Sequence, residues 1–294
     1  MTPGRASRTA EHMALFRAVE TARPAASRLF ADPFATRFLR PRYRAVALLS
    51  RVPFLHALVE RRIDRLVPGA RTSAVARTRL IDDAVSAALA ATKQLVILGA
   101  GYDCRAYRIP ALARLPVFEV DHPDTLREKR RRLARTRLEH VRFVGADFDR
   151  QSAADALATT DYEPARRTFF IWEGVTNYLT ASAVDATFRW LGTAAAGSTV
   201  AFTYVHRSVL DAPATFDGAE RLLRELARLG EPWTFGLDPA ETPSYLGARG
   251  LTLVEDLGAD EYRQRYLADR TDGRRGYAFY RVAVATVADR PTAG

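Results

Sequence analysis

Cysteine, lysine and long apolar runs are all scarce in this sequence, and each scarcity excludes something. One cysteine, Cys104, among 294 residues leaves no disulfide framework and no cysteine-rich zinc site within the chain. No stretch of about twenty apolar residues exists, so no transmembrane helix is expected. The N-terminus lacks the long apolar core of a secretory signal, so none is expected there. The five histidines fall in no metal-ligand spacing, which makes a metal-assisted reaction an unattractive reading. Internal repeats and low-complexity linkers are missing too. A soluble cytoplasmic protein, with neither membrane nor metal among its partners, fits these absences; the oligomeric state stays open.

What is present is ordinary for a folded protein: 48% hydrophobic and 27% charged residues. The net charge is +10, and nearly all the positive charge is arginine, the lysines being Lys93 and Lys129. Such a surface can attract nucleic acid, anionic membrane or an acidic small molecule, or do nothing specific. A nucleic-acid site would centre on Arg127–Arg137. Leu126 and Leu133 share a helix face in that stretch, so a solvated crossover helix is the plainer reading and nucleic acid is not expected as a partner.

The chain divides by pattern. Residues 1–92 read as helices with breaks at Asp32-Pro33 and Val52-Pro53: a helical cap over the sheet, or a layer that only supports it. From residue 93 to 294, short apolar runs alternate with amphipathic stretches, the mark of an α/β fold with a mostly parallel, doubly wound sheet. The expected strands are 95–98, 117–120, 141–144, 168–172, 199–205, 251–255 and 278–284. The last two are separated by a polar, arginine-rich loop without an evident apolar helix, so an antiparallel last strand returning at the sheet edge is expected.

The first expected strand runs into Gly99-Ala100-Gly101-Tyr102-Asp103. Glycines there permit a sharp turn and close approach of a ligand to the backbone. The second ends at Asp121, about twenty residues on, the spacing at which a carboxylate reaches ribose hydroxyls. Turn and acid point to a nucleoside-containing ligand. Cys104 stands where a dinucleotide fingerprint wants a third small residue, which weighs against a nicotinamide dehydrogenase. Past the third strand, Asp147 and Phe148 suit an adenine, the acid facing its amine and the ring its base; Asp147 could instead cap the next helix.

Within an expected helix over 73–91, Arg77 falls on the apolar stripe of Ile81, Val85 and Ala88. An inward guanidinium needs a carboxylate. That carboxylate is either a ligand's or a protein acid's.

Val96–Asp103, Phe118–Pro123 and Glu173-Gly174-Val175-Thr176-Asn177-Tyr178-Leu179 together resemble the leucine carboxyl methyltransferase-like family, in its bacterial branch that includes polyketide O-methyltransferases. Ala76-Arg77-Thr78-Arg79 and Asp32-Pro33-Phe34 extend the likeness, which spans about residues 12 to 285. The resemblance implies a class I methyltransferase fold, Rossmann-like with an N-terminal helical cap (1–92), and S-adenosyl-L-methionine as cofactor. It implies Arg77 on the cofactor carboxylate, Gly99 and Gly101 around the methionine part, Asp121 on the ribose, Asp147 and Phe148 on the adenine, and Glu173 near the amino group. Cys104 and Arg105 depart from the small hydroxyl residues usual after the turn, and Cys104 reads as packing.

Methyl transfer needs the nucleophile held behind the methyl with water excluded. The expected acceptor is a small molecule, acidic or aromatic, methylated on oxygen: a carboxylate first, a phenol or hydroxyl of a polyketide-type natural product second. Tyr204 and His206 are the candidate catalytic groups, His206 as base for a phenol. Arg207 could orient an acid, and Tyr178 and Trp233 could form aromatic walls.

Overall fold

In the computed structural model, residues 8–148, 151–268 and 275–288 are described. Four helices come first: α1 (Arg8–Thr21), α2 (Pro41–Leu49), α3 (Pro53–Leu66) and α4 (Ala70–Ala88). Proline at N1 opens both α2 and α3, where its missing N–H costs no intrahelical bond. There follow β1 (Gln94–Leu98), α5 (Arg105–Arg108), β2 (Val117–Asp121), α6 (Pro123–Arg132), β3 (Val141–Gly145), α7 (Ala153–Leu157), β4 (Thr168–Trp172) and α8 (Ala181–Leu191). The chain closes with β5 (Thr199–Val205), α9 (Ser208–Asp211), α10 (Ala219–Arg228), α11 (Thr242–Gly247), β6 (Leu251–Leu257), α12 (Ala259–Leu267) and β7 (Tyr280–Val287).

The seven strands form one sheet in the order β3-β2-β1-β4-β5-β7-β6. All pair in parallel except β7, which is antiparallel to both β5 and β6. The chain winds outward from β1 in both directions, and ligands bind such sheets where the winding reverses. Parallel register sets the ends of β1, β2 and β3 in one row: Leu98 lies opposite Val120, and Asp121 opposite Gly145. Glycine turn, Asp121 and Asp147 are neighbours for that reason.

Alternation along the strands divides the core. Val96, Leu98, Phe170, Trp172, Phe202 and Tyr204 pack on α8 and α11. Leu95, Ile97, Phe169 and Ile171 pack on α4 and α12. A third cluster joins α1, α2 and α3 to Tyr102 and Cys104 beside the glycine turn.

Two expectations need correction. The antiparallel last strand does not return at the edge: β7 is inserted between β5 and β6, and β6 is the edge. The β6–β7 connection contains α12, whose Ala259 and Tyr262 are buried against the sheet, although residues 269–274 of that connection lie outside the described ones. The helical block 1–92 is not uniform, because α4 covers a sheet face with Ala76, Leu80, Ile81 and Val85 while α1 lies beyond the sheet's carboxyl edge. Asp82 of α4 is buried beside Arg105 and Arg108.

Candidate functional site

A cavity of about 880 Å³ opens at the carboxyl ends of β1, β2, β3 and β4, roofed by α1 and bounded on its far side by α10 and residues 230–234. Gly99 and Gly101 take φ of +65° and +40° at the end of β1. A Cβ on Gly99 would stand 2.4 Å from Val175 Cγ2, so this glycine is required by packing as well as by φ. A Cβ on Gly101 would meet nothing nearer than the Gly99 carbonyl at 3.8 Å, and at Gly174 nothing within 4 Å. Both stretches line the cavity and offer it bare backbone.

Asp121 is 7% exposed and built into the turn. Its Oδ2 accepts from the Gly101 amide at 2.6 Å and its Oδ1 from the His122 amide at 2.6 Å. Burial pushes its carboxyl above the usual range, against the pull of those amides. Beneath the turn, Glu119 receives Lys129 Nζ at 2.7 Å and the Tyr107 hydroxyl at 2.6 Å, and Lys129 also points at the Ala100 carbonyl, 3.4 Å away.

Glu173, just past β4, joins two guanidinium groups. Arg77 Nε donates to Oε1 at 2.6 Å and Arg105 Nη1 to Oε2 at 2.7 Å. Burial alone would raise the Glu173 carboxyl, but Arg105 and Arg77 outweigh it and hold it at about 2. Arg105 continues the network to Asp103 and, at 2.8 Å, to Asp82. The guanidinium of Arg77 also lies 4.7 Å above the Tyr280 ring, and its Nη2 points at Met13 Sδ, a weak acceptor 3.2 Å away. The internal ion pair considered for Arg77 thus exists, and the residue faces the cavity as well.

Asp147 and Phe148 line the same end, Phe148 packing against the core. Tyr178 and Trp233 line the far end with Tyr277, Tyr280, Leu222 and Leu226. Burial lifts the Tyr178 hydroxyl to about 12, so it stays protonated. Two acids, Glu225 and Glu231, stand on this wall, and Thr9 of α1 donates to Glu231 at 2.5 Å.

Three expected site residues are elsewhere. Tyr204 falls on the α8–α11 face by strand alternation, is fully buried and donates to Asp256 at 2.5 Å. His206 pairs its backbone with Leu237 and packs its ring on Phe216, while its Nδ1 accepts from the Ser208 amide. Arg207 is half exposed and faces Glu241 at 3.6 Å. None of the three lines the cavity. Cys104 is buried among α1, α2 and Tyr102. Among the described residues, no group of three or more His, Cys, Asp or Glu side chains could hold a metal.

Sequence reading missed His12, Met13, Arg105, Tyr277 and Tyr280. His12 lines the cavity from α1, and its Nε2 is 2.9 Å from the Tyr43 hydroxyl. Burial lowers its pKa below 6.5, with Glu11 and Glu231 opposing and Arg40 and Arg42 assisting. No motif marks it. Arg105 had a signal: a charge next to a glycine turn, where a small residue was expected.

A nucleoside with a zwitterionic tail fits this donor set: a guanidinium and a carboxylate side by side, bare backbone at the turn, an acid at the end of β2 and another just past β3. Comparison with known proteins agrees. Residues 10–192 match the family described as leucine carboxyl methyltransferase. A protein of Mycolicibacterium gilvum (strain PYR-GCK), named as an S-adenosyl-L-methionine-dependent methyltransferase, is 35% identical over 85% of this chain and 80% of its own. YktD of Bacillus subtilis (strain 168), named likewise, is 32% identical over 61% of this chain, which spans 60% of that relative's length. The crystal structure of a DUF574 family protein from Streptomyces avermitilis MA-4680 superposes with a TM-score of 0.58 at 20% identity, covering 91% of this chain and 99% of that one, which supports the fold. The chain belongs to the leucine carboxyl methyltransferase family and is an S-adenosylmethionine-dependent methyltransferase.

Proposed function

We propose that the chain methylates a hydroxyl oxygen on a neutral, aromatic small molecule, of the kind met in polyketide-type secondary metabolism in the cytoplasm. The observation that carries this reading is the charge of the acceptor end. Among the described residues two arginines line the cavity, and both are engaged by protein groups: Arg77 by Glu173, and Arg17 by Asp32 and the Tyr102 carbonyl. The far wall adds Glu225 and Glu231 to aromatic rings. A carboxylate acceptor, the first expectation from resemblance, would enter among acids with no free arginine among the described lining residues.

The cofactor supplies a methyl group on a positively charged sulfur. In this reading Arg77 takes its carboxylate and Glu173 its ammonium, a charge pair matched to a zwitterion. Asp121 keeps lone pairs on both oxygens for the ribose hydroxyls, and Asp147 and Phe148 meet the adenine. His12 receives the proton that leaves the acceptor hydroxyl as its oxygen gains the methyl. With Nε2–H donating to the Tyr43 oxygen, Nδ1 is the accepting atom. Helix α1, carrying Thr9, His12, Met13 and Phe16, acts as the lid that excludes water, while α4 belongs to the sheet.

The test is a methyl-transfer screen of the full chain over matched phenols and carboxylic acids, read by mass spectrometry. Methylated phenols without methyl esters are expected. Esters alone would overturn the hydroxyl assignment.

A further inference from the structure

Seven large apolar side chains are exposed among the described residues, and six of them lie between Leu48 and Leu66. Phe54 is 78% exposed and Leu58, one helical turn on, 60%. Leu48, Leu49 and Val52 stand at the joint between α2 and α3, and Leu66 ends α3. Scattered exposed leucines need no explanation, but a concentration on one helix pair does.

Charge on the same helix pair is segregated. Arg42, Arg44, Arg51, Arg61, Arg62 and Arg65 are all exposed. The acids of this stretch turn the other way. Glu60 is 2% exposed and receives Arg71 at 2.7 Å and Arg23 at 2.5 Å, and Asp64 receives Arg71 at 2.9 Å. The buried face thus holds the carboxylates, and the outer face offers protruding apolar groups among guanidinium groups. That composition suits the boundary between headgroups and acyl chains of an anionic bilayer.

We infer that α2 and α3 form a docking face for an anionic lipid surface, on which Phe54 and Leu58 enter the acyl boundary while Arg61, Arg62 and Arg65 meet lipid phosphates. Among the described residues no helix is long and apolar enough to span a membrane. Charge argues against a second copy as the occupant: a two-fold contact would set one arginine-rich face against another. An acidic protein partner would need a concave seat for a ring as prominent as Phe54, whereas a bilayer needs none. The face also ends at the cavity rim. Val67 and Ala70, just beyond Leu66, line the cavity, and Arg221 of α10 reaches the Leu66 carbonyl at 3.5 Å. An acceptor dissolved in the bilayer would have a short path inward. The docking face itself does not depend on the methyl-transfer reading.

The experiment is co-sedimentation of the full chain with vesicles of phosphatidylcholine alone or of equal parts phosphatidylcholine and phosphatidylglycerol, across a salt series. Binding to the anionic vesicles, weakening with salt, is expected, and none to the neutral ones. Phe54→Asp with Leu58→Asp lowers partitioning by about ten-fold or more. Arg61→Glu with Arg62→Glu lowers it by about five-fold or more per site. Arg114→Glu with Arg166→Glu, both exposed just before β2 and β4 at the end of the sheet away from the cavity, makes the same change in net charge and leaves partitioning nearly unchanged. Circular dichroism of each variant confirms the fold. Absent binding to anionic vesicles, or equal losses from both arginine pairs, overturns the proposal. So does a dimer that Phe54→Asp with Leu58→Asp converts to monomer.

Discussion

Arg77 Nε lies 2.6 Å from Glu173 Oε1, so a residue of α4 and a residue past β4 neutralise each other on the cavity wall. The carboxylate is held at about 2 against an ordinary 4.5, which fixes the sign of its pH dependence. Its stabilising contribution is complete above pH 4.5 and is lost as pH falls toward 2. Glu173→Gln should therefore destabilise the protein strongly at neutral pH, with a gap to wild type that closes across that window. Urea melts at several pH values measure it, and a gap independent of pH would contradict the ion-pair account.

The two glycines of the turn should respond differently to alanine. Gly99→Ala meets Val175 at 2.4 Å and lowers the melting temperature sharply. Gly101→Ala adds only left-handed backbone strain, about 1–2 kcal/mol, because its Cβ meets empty cavity. It should instead lose most cofactor affinity. Thermal melts together with S-adenosylhomocysteine titration separate the two outcomes.

Tyr204→Phe should leave kcat within about two-fold of wild type while costing roughly 1–3 kcal/mol, since Asp256 loses a buried donor. His206→Ala should be nearly silent in turnover. A large fall in kcat for either, with the fold intact, would return them to the active site.

Much of this was legible in the residues. Continuous apolar runs located all seven strands, and parallel register then carried Gly101, Asp121, Asp147 and Glu173 to one edge. The inward position of Arg77 was legible because a charge on an apolar stripe demands a partner, which here is Glu173. Tyr204 and His206 were misplaced by proximity along the chain: period-two alternation sends Tyr204 to the opposite face, and His206 follows β5 away from the cavity. His12 and Tyr280 were invisible because long-range packing brings them in, one from α1 and the other from a strand inserted out of order. Helix α12 escaped notice because its apolar residues are few among charges.

His12 needs its neutral form to take a proton, and burial holds its pKa below 6.5. Activity toward a phenol should thus be flat at neutral pH and fall as pH drops through that lowered value. His12→Gln should reduce kcat by about 100-fold or more and remove the acidic limb. An unchanged pH–rate profile in the variant would exclude His12 as proton acceptor.

The central claim is that the cavity beside the glycine turn holds the cofactor by its two charged ends and its sugar. Isothermal titration of S-adenosylhomocysteine into wild type, Arg77→Ala and Asp121→Ala tests it most directly. The account predicts that each variant stays folded and binds about 10- to 100-fold more weakly, the worth of a hydrogen bond to a charged group. Wild-type affinity in both folded variants would contradict it.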